Sequence, residues 1–91
     1  MPIDYARDAE VLKAVAHPVR LRIVQGLMRN ECNVTKIVRA LGLPQSTVSQ
    51  HLGVLRAAGI LVPRKSGVKT CYQVVDGRVM KIIEVFENKR G

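Results

Sequence analysis

Tryptophan is missing from this sequence, phenylalanine occurs once and tyrosine twice, so Phe86, Tyr5 and Tyr72 are its only aromatic residues and the 47% hydrophobic content is almost entirely aliphatic. Cysteine is nearly as scarce. Cys32 and Cys71 stand 39 positions apart without a C-x-x-C spacing, which excludes a disulfide framework and a zinc knuckle. No apolar run approaches the roughly 18 residues of a membrane span, and the acid-containing start MPIDYARDAE does not read as a signal peptide, so the expected location is cytoplasmic, with the nucleoid. Repeats, low-complexity tracts and linkers are absent. So are paired carboxylates and any nucleophile–base set, and an enzyme is not expected. With 91 residues the chain is one domain, spanning 1–91, small enough to gain stability by oligomerising.

The most telling scarcity is of acid. Between Lys13 and Val75 lie ten Lys or Arg residues and one acid, Glu31, while the other six acids fall in the first ten or last sixteen positions. The net charge of +8 is thus concentrated in the middle, as in a polyanion-binding module with separate terminal elements.

Periodicity divides the chain into elements. Tyr5, Ala9, Leu12 and Ala16, widened by Val11 and Val15, predict a helix over 4–15. His17-Pro18 ends it and opens a second helix over 18–29, apolar on several sides through Val19, Leu21, Ile23, Val24, Leu27 and Met28. Residues 31–34 read as a short extended stretch. Val34, Ile37, Val38 and Leu41 then mark a helix over 34–41, capped by Gly42. Pro44 starts another helix, with Val48, Leu52 and Leu55 on its buried face and Gly59 at its end. Alternation over 60–75, broken by Ser66-Gly67, predicts a β-hairpin, and Val79, Ile82, Ile83 and Phe86 restore the helical period over 77–88. The expected fold is mainly α with a small hairpin: a winged helix-turn-helix of order α-α-β-α-α-β-β-α.

Helices over 34–41 and 44–58 make a helix-turn-helix, in which the second helix reads the major groove. Opposite its buried face fall Ser46, Gln50 and Gly53, with Thr47 and Ser49 on the flanks. That surface is small, neutral and rich in hydrogen-bonding groups, as a helix lying flush against base edges requires. Gln50 is the leading candidate for base readout, because its amide pairs bidentately with adenine. Gln45, Ser46, Thr47 and Ser49 lie near the helix N-terminus, which favours phosphate. His51 sits at the edge of the buried face and has two readings, DNA contact or packing, while His17 reads as structural. Arg56 on the same helix joins the DNA-contact set. Arg64, Lys65 and Lys69 surround the hairpin tip and are placed to hold backbone phosphate. The apolar stripes of the end helices exceed what so small a core covers. Tyr5, Leu12, Val79, Ile82, Ile83 and Phe86 are therefore expected at a two-fold interface that presents two reading helices to a palindrome in double-stranded DNA.

Assembled in this way, the segments resemble the ArsR/SmtB family of bacterial winged-helix repressors. LKAVAHPVRLRIVQGL is similar to that family's L-K-x-L-x-x-P-x-R-L-x-I-L opening, LGLPQSTVSQHLGVLRAAGIL to its recognition-helix signature and KSGVKTCYQV to its wing, so that the likeness covers about residues 9–87. The pairing of HPVRL with LPQSTVSQHL looks closest to the short members related to the anthrax toxin-gene repressor. The resemblance implies a homodimer joined through its first and last helices, which represses by occupying an operator. Many members release DNA when a metal or oxidant binds. One family metal site uses the cysteines of E-L-C-V-C-D-L. Aligned on Val34, those positions hold Asn33 and Thr35 here, with Cys32 on a leucine position. A second family site needs His and Asp on the last helix, which here lacks histidine. No metal and no cofactor are expected. The family fold brings the stretch around Cys32 beside the second wing strand. Strand alternation then turns Cys32 inward with Val34, Thr70, Tyr72 and Val74 but Cys71 outward, so two separate reduced thiols are expected. A redox-responsive repressor using Cys32 and Cys71 is the alternative. A winged helix serving protein–protein contact, without sequence-specific DNA binding, is a further one.

Overall fold

Polar side chains set where several of the helices begin. The computed structural model describes residues 2–32 and 34–89, and its first helix, α1 (Tyr5–Val15), starts where the Asp4 carboxylate accepts the Arg7 N–H at 3.2 Å. In α2 (Pro18–Arg29), His17 is the cap: its Nδ1 accepts the Val19 N–H at 3.1 Å, and Pro18 occupies a first-turn position where no N–H is needed. α3 (Val34–Leu41) stops at Gly42, whose N–H bonds the Val38 and Arg39 carbonyls from a φ of 65° that favours glycine. α4 (Gln45–Ala57) follows, and the last helix, α5 (Gly77–Lys89), is capped by Asp76, which accepts the N–H groups of Arg78 at 2.9 Å and Val79 at 3.2 Å.

Between α4 and α5 stand β1 (Leu61–Ser66) and β2 (Lys69–Val74), an antiparallel pair running from Leu61 opposite Val74 to Ser66 opposite Lys69. The turn is therefore Gly67-Val68, one residue later than Ser66-Gly67. Gly67 takes a φ of 63° and no other residue of the turn is positive, the sign pattern of a II′ turn, which suits strand twist. The extended stretch expected at 31–34 is not a strand either: residues 31 and 32 form a turn, Asn33 lies outside the described residues, and α3 already begins at Val34.

Every helix delivers apolar side chains to one core. Val11 and Val15 meet Ile23, Val24 and Leu27 of the central α2, with Ile37, Val48, Leu52 and Leu55 from the helix-turn-helix and Val79 and Ile83 from α5. Ile60, Leu61 and Val74 attach the base of the hairpin, and the Val75 N–H closes it on the Ile60 carbonyl at 2.9 Å. Among the described residues no polar or charged residue is buried. Removing a side chain such as Leu27 or Leu55 from water contributes about 1.5–3 kcal/mol each, so this aliphatic core holds the helix-turn-helix in place without aromatic packing.

Candidate nucleic-acid interface

One face of α4 is anchored and the other is bare. Val48, Leu52 and Leu55 are buried, whereas Gln45, Ser46, Ser49, Gln50 and Gly53 are exposed, and Thr47 is half-buried at the margin. The bare face carries no acid, and Gly53 has open space where a Cβ would stand. At the N-terminus, Pro44 offers no side-chain cap. Its carbonyl takes the Thr47 and Val48 N–H groups, leaving those of Gln45 and Ser46 without a capping side chain, in the position that suits an anion.

His51 faces the body of the protein. Its Nδ1 accepts from Arg20 Nε at 3.2 Å, its ring lies 4.7 Å from that of His17, and Arg20 also donates to the Ala14 carbonyl at 3.3 Å. A nitrogen that accepts from a guanidinium is unprotonated. Burial, then the neighbouring His17 and Arg20, hold the His51 pKa below the ordinary 6.5. The residue thus ties the middle of α4 to the junction of α1 and α2. Arg56 is exposed in the last turn, eleven residues beyond Gln45 and so about 16 Å away along the axis; α4 does not bring it to the polar cluster.

The hairpin divides its cations. Cross-strand partners share a face, so Arg64 lies with Cys71 and Lys69 with Ser66, while Lys65 lies opposite, with Thr70. Lys65 and Lys69 are exposed, but Arg64 forms an ion pair with Glu31. Between β2 and the helix-turn-helix runs an open groove of about 610 Å³, lined among others by Lys36 and Arg39 of α3, Gln45 and Ser49 of α4, and Lys69 and Thr70 of β2. Lys36 and Arg39 are absent from the contacts expected above. Their signal was present, since both stand off the Val34–Ile37–Leu41 stripe within the acid-free segment.

Cys32 and Cys71 are joined in a disulfide, which corrects the expectation of separate thiols. Strand alternation does not extend to Cys32, because 31–32 is a turn, held to the edge of β2 by the backbone bond from the Tyr72 N–H to the Glu31 carbonyl at 2.9 Å. That segment covers the hairpin face carrying Arg64 and Cys71, and Cys71 is fully buried there, not outward. Thr35 lines the groove, and among the described residues no three His, Cys, Asp or Glu side chains are grouped to hold a metal.

The residues expected at a two-fold interface separate into two sets. Tyr5 and Leu12 of α1 and Phe86 of α5 are exposed at 80%, 56% and 62%, and Ile82 is half-buried. Val79 and Ile83 are instead part of the protomer's own core at 0% and 5%, because α5 turns that side onto α2. Val85, outside the set that the sequence pattern marks, is 61% exposed beside Phe86. Among the described residues no helix is long and apolar enough to cross a membrane.

Comparison with known proteins gives this geometry a context. Residues 17–61 match the bacterial regulatory proteins of the arsR family. The transcriptional repressor PagR of Bacillus anthracis is 44% identical over 79 residues, 86% of this chain and 79% of that protein. The structure of HlyU from Vibrio cholerae superposes with a TM-score of 0.84 at 34% identity, covering 97% of this chain and 96% of that one. The homodimeric winged helix-turn-helix DNA-binding domain Mb0332 of Mycobacterium bovis superposes with a TM-score of 0.80 at 27% identity, covering 94% and 80%.

Proposed function

The chain belongs to the arsR family of bacterial regulatory proteins, and from that premise we propose that it is a sequence-specific DNA-binding transcriptional repressor, which occupies a palindromic operator as a homodimer. The observation that carries the reading is the bare face of α4: five exposed residues, Gln45, Ser46, Ser49, Gln50 and Gly53, none acidic and none bulky. Such a face enters a major groove about 12 Å wide and reaches base edges with its amides and hydroxyls. Gln50 reads a base. Ser46, Thr47 and Ser49, with the free N–H groups of the first turn, set the helix against phosphate. Lys65 and Lys69 hold flanking backbone, and Lys36, Arg39 and Arg56 add positive potential around it. His51 positions α4 through Arg20 without touching DNA.

The dimer is built on Tyr5, Leu12, Ile82, Val85 and Phe86, the apolar surface that the protomer leaves open on its end helices. Two copies related by a two-fold axis place their α4 helices in successive major grooves, roughly 34 Å apart, on chromosomal DNA in the cytoplasm. The test is selection of bound duplexes from a random pool. Enrichment of an inverted repeat with half-sites about one helical turn apart is the expected result. Recovery of no duplex at any salt concentration, with the chain folded, would refute the reading and favour a protein-contact module.

A further inference from the structure

One guanidinium joins three helices. Arg20, in the first turn of α2, donates from Nη1 to the Ala14 carbonyl in the last turn of α1 at 3.3 Å, and from Nε to His51 Nδ1 in the middle of α4 at 3.2 Å. The His17 ring lies 4.7 Å from that of His51, and its own Nδ1 accepts the Val19 N–H that caps α2. Val48, Leu52 and Leu55 decide which side of α4 faces inward, but apolar contact is non-directional and leaves the exact setting of the helix loose. Among the described residues no other side-chain hydrogen bond ties α4 to the body. The directional hold on α4 therefore falls on His51, next to Gln50.

Both imidazoles serve as acceptors at Nδ1, so the arrangement exists only while that nitrogen carries no proton. A protonated His51 sets an N–H against the Arg20 Nε–H and a second positive charge beside the guanidinium. A proton at His17 Nδ1 removes the cap of α2, in the same turn that carries Arg20. Compensating negative charge is scarce. Glu10 of α1 is the carboxylate that lines the cleft beside Arg20, and it pairs with Lys13 of α1 at 3.7 Å; from α4 the cleft receives the uncharged Val54 and Ala57. Burial, then His17 and Arg20, already oppose charge on His51. His17, Arg20 and His51 are all half-buried, so solvent protons reach them.

We propose that Arg20, His17 and His51 form a proton-sensitive clamp that positions α4 for DNA readout, closed while both imidazoles are neutral and opened by acid. The inference rests on the DNA-binding reading given above. Arg20 and His17 are positioning residues, since both act on α4 through His51 from outside its bare face. With the clamp closed, α4 is held from α1 and α2 with Gln50 set for the groove. With it open, the helix must be ordered at the duplex, and affinity falls. Operator binding therefore weakens with acid. A histidine that touched phosphate would give the opposite sign, because an imidazolium adds a cation against the backbone and tightens binding.

The test titrates the intact chain with a duplex recovered by the selection above, at fixed ionic strength and at a temperature where helix content is equal at pH 7.5 and pH 5. Wild-type affinity should fall about tenfold between these pH values, within the usual range of coupling. His51→Asn should keep the affinity of pH 7.5 and lose most of the fall, since its Oδ1 stands where Nδ1 stood and accepts from Arg20 at either pH. Arg20→Met, which keeps the stem and removes the donor, should bind at pH 7.5 about as weakly as the wild type at pH 5, with a flat profile. A merely structural role would lower the affinity of a variant by the same factor at both pH values. A fall in the wild type no larger than in His51→Asn overturns the proposal while DNA binding stands. The nitrogen shift of Arg20 Nε in the free protein, expected to leave its hydrogen-bonded value over the same pH range, separates the two ideas. If that shift responds but no duplex is bound at either pH, the DNA-binding reading has failed and the clamp has not; if the shift is unchanged, the clamp itself is wrong.

Discussion

Single residues on α4 divide by which way the helix turns them, and the division sets what each substitution does. Gln50 is exposed on the bare face, so Gln50→Ala should cost about 1–3 kcal/mol at one base position and little on random duplex. Competition binding checks this, and an equal loss on both duplexes would remove Gln50 from base readout. His51 behaves differently because Arg20 donates to its Nδ1 and burial opposes its charge. Its folded pKa lies below 6.5, so its neutral form contributes stability fully present above pH 6.5 and lost as pH falls through the folded value. Urea midpoints should therefore drop between pH 7.5 and pH 5 more in the wild type than in His51→Gln; parallel curves would count against it. The bare face could be read from the sequence, since it needs only the position of Val48, Leu52 and Leu55. The partner of His51 could not, because Arg20 lies 31 positions away and meets it only when α2 packs beside α4.

At the scale of elements, helices were legible and the hairpin only partly so. Helical period, Pro18, Gly42 and the proline before α4 mark local events, and local events leave local signals. The sequence places the wing's turn one residue early because both Ser66-Gly67 and Gly67-Val68 fit a two-residue loop; cross-strand register, with Ser66 opposite Lys69, decides between them. That register also sorts the cations. Among the described residues Lys65 and Lys69 make no ion pair while Arg64 is engaged by Glu31, so Lys65→Ala and Lys69→Ala should each flatten the salt dependence of DNA binding by a slope of about 0.9 per protomer. Arg64→Ala should change that slope less, and titrations from low to moderate salt would show it. An Arg64→Ala slope as shallow as that of Lys69→Ala would mean that Arg64 leaves Glu31 for phosphate.

For the molecule as a whole, the two sides of α5 have separate roles. Ile83 and Val79 complete the protomer core, and truncating Ile83 to Ala should cost about 2–5 kcal/mol of folding stability. Phe86 is exposed, so Phe86→Glu should leave helix content and melting behaviour close to the wild type but yield a monomer in sedimentation analysis, with weakened operator binding. A variant that remains dimeric would place the interface elsewhere. The Cys32–Cys71 bond acts over a still longer range. Because it closes a loop of 39 positions, reducing it should lower unfolding stability by about 2–4 kcal/mol in denaturant titrations, an effect absent in Cys32→Ser.

The order and faces of the helices, the acid-poor middle and the polar surface of α4 were determined by the sequence alone, because each depends on neighbours within a turn or two of the same segment. Tertiary structure decided which apolar stripe is core and which is free, as Val79 and Ile83 against Phe86 show; both sides of α5 have helical spacing, and only its docking on α2 distinguishes them. It also decided the partner of each cysteine. Alternation predicts a side chain's direction only inside a regular strand, and a turn at 31–32 brought Cys32 to a face of the hairpin that local pattern assigned to solvent.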